Sequence, residues 1–309
     1  VRNFIINLIV FIFILLCCLT GLLLLNRYYA YIPVNNNKHI LIIGHSHSEC
    51  AYNDSLINGV KNFSKSGESY FYSYFKTKLL IEKNPNINTV LIEFSNNQIE
   101  SSMDNWIWGE KHMSYRFPQY GSFMDYNSYS LLWHKNSKCF LNSLKFLTKH
   151  NIKNVLKKFK LKEDIGGYFY LERNKTDSLL RVISTMPQLK HKTIELSKYN
   201  IIYLKKTIEY LLDKKKKVFL IRSPMHNMYE GFRNEQQFQN VLKNNFPEVE
   251  FIDFSHFKLL NSEFGDLDHL NYKGAAKFSI WFNELLKKGL LIKKDKQRFI
   301  DSEINDIRV

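Results

Sequence analysis

Residues His39 to Asp54, HILIIGHSHSECAYND, set a serine between two histidines just behind an apolar run that ends in glycine. A serine in a turn between a strand and a helix has its hydroxyl lifted from the sheet edge, where backbone N–H groups can stabilise an oxyanion, so Ser46 could act as a nucleophile. Such a serine needs a base. Far down the chain, DLDHLNYKG, Asp266 to Gly274, offers one. An aspartate three residues before a histidine can orient the imidazole and stabilise its charged form while the other ring nitrogen takes the serine proton. Asp266 and His269 fit these roles, and Asp268 is the alternative acid with a harder geometry. The same turn allows metal chemistry. Residues two apart on a strand face one side, so His45 and His47 could present two imidazoles to a cation, with Glu49, Asp268 and His269 as further ligands. Against this, His112, His134, His150 and His191 fall in or near a long central insert rather than after other strands. No metal and no other cofactor is therefore expected.

Either chemistry depends on elements that bring the two ends of the chain together. Short apolar runs predict five strands: His39 to Ile43, Asn58 to Phe63, Thr89 to Phe94, Lys217 to Arg222 and Val249 to Phe254. Helical patterns cover Glu68 to Glu82, Thr193 to Leu212, Asn234 to Asn245 and Lys273 to Lys288. This alternation argues for an α/β fold, with three α/β/α layers around a five-stranded, mainly parallel, flavodoxin-like sheet. Ligands of such sheets bind at the carboxyl ends of the strands, the edge to which the Ser46 turn and the Asp266 loop both belong. Residues 96–196 are rich in Trp, Tyr and Phe, include a helix expected near Leu141 to Phe159, and are too long for a plain connection. They read as an inserted cap whose aromatics line a sugar or acyl pocket or simply pack on the core. The organisation expected is an apolar span at 4–25, a tether at 26–38, a domain at 39–292 and a loosely held polar tail at 293–309.

GHSHSE taken with DLDHLNYKGA resembles the SGNH/GDSL hydrolase superfamily, over roughly Ile40 to Leu285. The resemblance implies Ser46 as nucleophile, Asp266 as the aspartate and His269 as the base. It also implies oxyanion donors: the serine's own N–H, a block-two glycine matched by Gly67 in NFSKSGESYF, and an asparagine matched by Asn96 in LIEFSNNQ, with Asn97 a close competitor. His45 stands where the family has an aspartate, and the third block lacks its glycine and following aspartate. His47, Asn97 and His226, the last in IRSPMHNM after the fourth strand, are expected to contact substrate. Membrane-anchored members of the superfamily act in surface-polymer O-acylation, often beside a membrane-bound O-acyltransferase. The implied function is a membrane-anchored serine esterase or O-acyltransferase acting on an ester of an extracytoplasmic glycan or polymer. The altered middle blocks keep open a catalytically silent scaffold or binding protein with the same fold.

Phe4 to Leu25 is almost wholly apolar. At ~1.5 Å per residue such a helix reaches ~33 Å, enough for a bilayer core of ~30 Å. The apolar region of a cleaved signal peptide runs only ~7 to 15 residues and ends in small residues, which are missing here, so a retained signal anchor is expected. Leu15-Leu16 also lacks the small residue that precedes a lipidated cysteine such as Cys17. Arg2 and Arg27 flank the span and leave the positive-inside rule nearly silent; the expected placement is N-terminus inside and domain outside. The 309 residues carry a net charge of +15, but the lysines are spread through the chain. With no zinc spacing, RNP-like strand or helix-turn-helix signature, nucleic acid is not an expected partner, and the charge suits anionic lipid or an acidic glycan. Outside the anchor only Cys50 and Cys139 remain, enough for one bridge at most.

Overall fold

The computed structural model describes residues 1–161, 165–185 and 193–307. Two stretches of the expected insert, 162–164 and 186–192 with His191, and the last two residues of the expected tail lie outside the described residues. The chain opens with α1 (Arg2–Tyr29), then β1 (Ile40–Ile43), α2 (Ser46–Ala51), β2 (Val60–Asn62), α3 (Tyr70–Lys83) and β3 (Thr89–Glu93). The insert carries α4 (Asn105–Trp108), α5 (Glu110–Tyr120), α6 (Tyr126–Leu156) and α7 (Thr176–Ser184). After it come α8 (Lys198–Asp213), β4 (Lys217–Arg222), α9 (Glu235–Asn245), β5 (Glu250–Asp253), α10 (Tyr272–Lys287) and α11 (Lys296–Asn305).

The five strands pair in the order β2-β1-β3-β4-β5, every pair parallel, which is the flavodoxin-like arrangement. Alternation along β1 sends Leu41 and Ile43 to one face and Ile42 to the other, so each strand feeds two cores. The first core joins the sheet to α3, α8 and α9 through Phe71, Phe75, Leu204, Ile208 and Phe238. The second joins it to α2, α10 and α11 through Tyr52, Phe254, Phe278, Phe282 and Ile300. Each such side chain, once buried, stabilises the fold by roughly 1.5–3 kcal/mol. The order reverses between β1 and β3, and this switch point is where the first strand hands the chain to Ser46.

The helices of the insert pack against the first core. Phe117, Phe140 and Leu147 of α5 and α6 join the first core. Trp108 packs edge-on against Tyr199, Trp133 against Phe140, and Trp106 stacks on His112, so these aromatics pack onto protein. α6 bends at Asn136, whose side-chain amide donates to Trp108 O. α1 is long and apolar enough by length and composition to cross a membrane, consistent with an anchor or a signal sequence. Its C-terminal end is docked: Asn26 is buried, donates to Asn151 O and accepts from Asn154.

The tail expected to be loose forms α11. Asp295 caps it by accepting from Arg298 N at 3.0 Å, Ile300 and Ile304 are buried, and Lys296 reaches Glu250 at 2.7 Å. The buried apolar side of this helix rests mainly on two isoleucines four residues apart, too sparse a signal to stand out in a polar sequence. Cys50 and Cys139 are both buried and free, so the bridge that their number allowed is not formed.

Candidate functional site

Gly44 ends β1 where only glycine fits, because a Cβ there would collide with Ser48 Oγ and Glu93 Cβ. That close approach lets the chain turn directly into α2, with His45 extended as its N-cap and Ser46 as its first residue. The N–H of Ser46 is in the first turn and carries no intrahelical bond. Ser46 is partly exposed between buried neighbours His45 and His47. Lys65 N donates to Gly44 O at 2.9 Å and Ser66 N to Glu49 Oε2 at 2.7 Å, which draws the block-two turn alongside α2. Gly67 in that turn has φ +69°, and its carbonyl accepts from His112 Nδ1 at 3.2 Å. Arg116 of α5 donates to Ser66 O and lies 3.6 Å from the buried Glu68, which also pairs with Lys76. The insert thus sets the turn that carries Gly67.

The loop after β5 brings the second half. Asp266 Oδ1 accepts from the backbone of His269 at 2.9 Å and from its Nδ1 at 2.8 Å. Asp268 Oδ1 lies 3.3 Å from the same Nδ1. Burial opposes the charge of His269, but the hydrogen bonds of Asp266 and Asp268 outweigh it and raise its pKa to about 9. The His269 ring stands 5.4 Å from that of His47, so the loop meets the Ser46 turn. Among the described residues, no hydrogen bond joins the Ser46 hydroxyl to His269.

Sequence reading missed several members of this site. Arg173, in a strap before α7, contacts the second oxygen of Asp266 and lies 3.4 Å from His269 Nδ1. The strap is tied at several points: Gly167 N donates to Ser64 O, Phe169 N to Glu49 O, Tyr272 N to Leu171 O and Lys175 N to Gly265 O. Gly166, at φ +146°, passes too close to the Phe63 and Ser64 carbonyls for any side chain. Nothing in the sequence links Arg173 to a loop so far along the chain. Ser95 and Glu93, which were within the quoted third block, could have been noticed as polar residues closing an apolar strand.

Asn96 is not the oxyanion donor that the motif match implies. Its amide nitrogen donates to Asn234 at 3.1 Å and to Glu235 at 2.7 Å, and its oxygen accepts from Arg222 at 3.0 Å. Both N–H bonds are spent inside the fold. Asn97, partly exposed, is the free one: Ser95 Oγ donates to its Oδ1 at 3.0 Å, which leaves its amide N–H groups available. Because Ser95 spends its proton on Asn97, its 2.9 Å contact with His45 Nε2 is a donation from the ring. Burial, then the neighbouring His47 and His269, hold His45 well below the ordinary histidine pKa, so it is neutral. His45, standing where the resemblance has aspartate, thereby orients Asn97 through Ser95.

His226 is held on both sides, accepting from Met228 N at 3.1 Å and donating to Asn261 Oδ1 at 3.2 Å. It lines a cleft of about 560 Å³ with Arg222, Phe232 and Phe264, and neither Ser46 nor His269 lines that cleft. His47 is buried against Tyr229 and His269.

A protein-family model matches residues 171–291, from the strap through α10, which is less than half of the chain. No curated protein matches. Among solved structures, the chain is similar to a GDSL-like lipase from Bacteroides thetaiotaomicron, 12% identical, covering 85% of this chain and 94% of that one at a TM-score of 0.35. A candidate acylhydrolase from Bacteroides fragilis is 10% identical, with 85% and 93% covered and a TM-score of 0.35. A protein described as a candidate platelet activating factor from Streptococcus pneumonia is 11% identical, with 87% and 90% covered and a TM-score of 0.40.

Proposed function

We propose that the protein is a membrane-anchored serine esterase or O-acyltransferase that acts on an ester of an extracytoplasmic glycan or polymer. The observation that carries this reading is the 2.8 Å bond from His269 to Asp266, standing beside the turn that exposes Ser46. Ser46 Oγ attacks the ester carbonyl as its proton passes to His269, whose charge Asp266 stabilises. The N–H groups of Ser46 and Gly67 and the Asn97 amide stabilise the oxyanion. The leaving alcohol takes the proton back, and the acyl group on Ser46 then passes to water or to a sugar hydroxyl. In this reading α1 holds the domain at the outer membrane surface, beside a membrane-bound O-acyltransferase that supplies or receives the acyl group.

The test is labelling of the full chain in detergent by a fluorophosphonate probe, with hydrolysis of an aryl acetate. Ser46→Ala is expected to lose labelling and at least ~10³-fold in turnover. Equal labelling of wild type and variant overturns the reading. A silent scaffold is the second reading, favoured by the absent Ser46–His269 hydrogen bond and by the pKa near 9 that leaves His269 protonated at neutral pH. It requires that Ser46→Ala fully restore the phenotype of a deletion strain and that wild type show no turnover.

A further inference from the structure

His47 is the residue that the proposed mechanism leaves unexplained. It is 1% exposed, and among the described residues neither ring nitrogen has a hydrogen-bond partner. Orphaned buried polar atoms are costly, by roughly 1–3 kcal/mol each, and an ion is one of the few things that removes the cost. Its Nε2 faces Asp268 Oδ2 at 3.6 Å, too long for a hydrogen bond. Asp268 Oδ1 in turn lies 3.3 Å from His269 Nδ1. Two donors each about 2.1 Å from one tetrahedral zinc stand about 3.4 Å apart, close to each of these separations, which engage different oxygens of the one Asp268 carboxylate. One ligand atom from each of His47, Asp268 and His269 falls within 4.8 Å of the others.

A deeper set, His45, His47 and Glu93, meets the same distance but suits a cation less well. Both Glu93 oxygens are occupied by the N–H and hydroxyl of Ser223, and His45, His47 and Glu93 are all buried. The outer set is open to solvent through Asp268, whose side chain is 34% exposed.

The geometry points to a divalent transition-metal site, best suited to Zn²⁺, formed by His47, Asp268 and His269 and mutually exclusive with the Ser46 triad. Two imidazoles and one carboxylate with a free coordination position form a donor set that zinc favours. The competition follows from the His269 ring. A metal on Nε2 takes the lone pair that would receive the serine proton, and a metal on Nδ1 displaces the proton donated to Asp266 and leaves Nε2 protonated. Either way binding disarms the base, which makes zinc a reversible inhibitor of the serine chemistry.

The proposal rests on the esterase reading only for the inhibition, and binding is measured apart from it. Full-length protein in detergent, stripped with EDTA, is titrated with Zn²⁺ by calorimetry and with Co²⁺ by visible absorption. One equivalent is expected to bind, Ser46→Ala to bind equally, and His47→Ala and Asp268→Asn each to weaken binding by about ten-fold or more. Asp268→Asn guards against a folding defect in His47→Ala, since Asp268 is partly exposed. No stoichiometric binding, or binding unchanged in both variants and so due to other histidines, overturns the site. With aryl acetate turnover as the readout, added Zn²⁺ should inhibit and EDTA restore. Turnover that Zn²⁺ leaves untouched despite binding overturns the exclusivity. Loss of turnover on chelation also overturns it, and with Ser46→Ala still active it would remove the esterase reading while leaving the metal site standing.

Discussion

Two polar clusters sit at the carboxyl edge of the same sheet and differ in how completely they are satisfied. Around Arg222, at the end of β4, each charge has a partner: its guanidinium bonds Asp253 and, at 2.7 Å, Glu235, with Asn96 and Asn234 closing the network. Burial works against the charges of Asp253 and Glu235, and the guanidinium overcomes it and holds both below the usual carboxylate range. Around His47, after β1, three imidazoles lie in file, His45 4.3 Å from His47 and His47 5.4 Å from His269, with three ring nitrogens unpartnered among the described residues. A saturated cluster has no capacity left for a ligand and works as a clamp between β4, β5 and α9. An unsaturated one beside a partly exposed serine keeps its capacity for chemistry.

The largest separation between the two is expected from Arg222→Met. It leaves the largely buried Asp253 and the partly exposed Glu235 without their cation and should cost on the order of 3 kcal/mol in denaturant unfolding. Turnover per folded molecule should survive, and a mutant that stays stable but loses turnover would erase the distinction drawn between the clusters. The adjacent asparagines sharpen it further. Asn97→Ala should lower kcat about 10²–10³-fold with stability little changed, as loss of one oxyanion donor does. Asn96→Ala should do the reverse, costing roughly 1–3 kcal/mol by stranding polar partners while sparing kcat. Kinetics and melting of the pair decide between them, and a greater kcat loss in Asn96→Ala would return the donor role to that residue.

The last comparison is the pH response of His269. Its pKa of about 9 lies above the ordinary histidine value, so its contribution to stability is full below about 6.5 and is lost as pH rises through about 9. That contribution is at most on the order of 3 kcal/mol. The base form grows over the same range, so kcat/KM should climb toward pH 9 while the melting temperature falls. A pH–rate profile with its midpoint near the ordinary histidine value would contradict the pairing with Asp266 and Asp268. Asp268 runs in the opposite sense: burial opposes its charge, the histidines hold its pKa far down, and its contribution disappears only in acid.

All five strands lie within two residues of their predicted ends, because a strand buried on both faces writes itself as an apolar run. Asp266 and His269 were legible for a similar reason: their contact spans three residues and is local. The choice between Asn96 and Asn97 was not, since the short three-ten turn at Asn96–Ile99 sends neighbouring side chains opposite ways, one into the Arg222 network and one toward Ser95.

The amino-acid sequence by itself determined the alternation of strands and helices, the apolar α1, and a serine turn and an Asp-x-x-His loop at one sheet edge, all properties of short stretches of chain. Tertiary structure alone decided that the helices of the insert join the first core, that residues 296–305 form a helix, that Arg173 reaches Asp266, and that His45 and His47 are buried with ring nitrogens to spare. Those outcomes depend on which distant side chains arrive at one place and on how much water they exclude, and neither is written in local spacing.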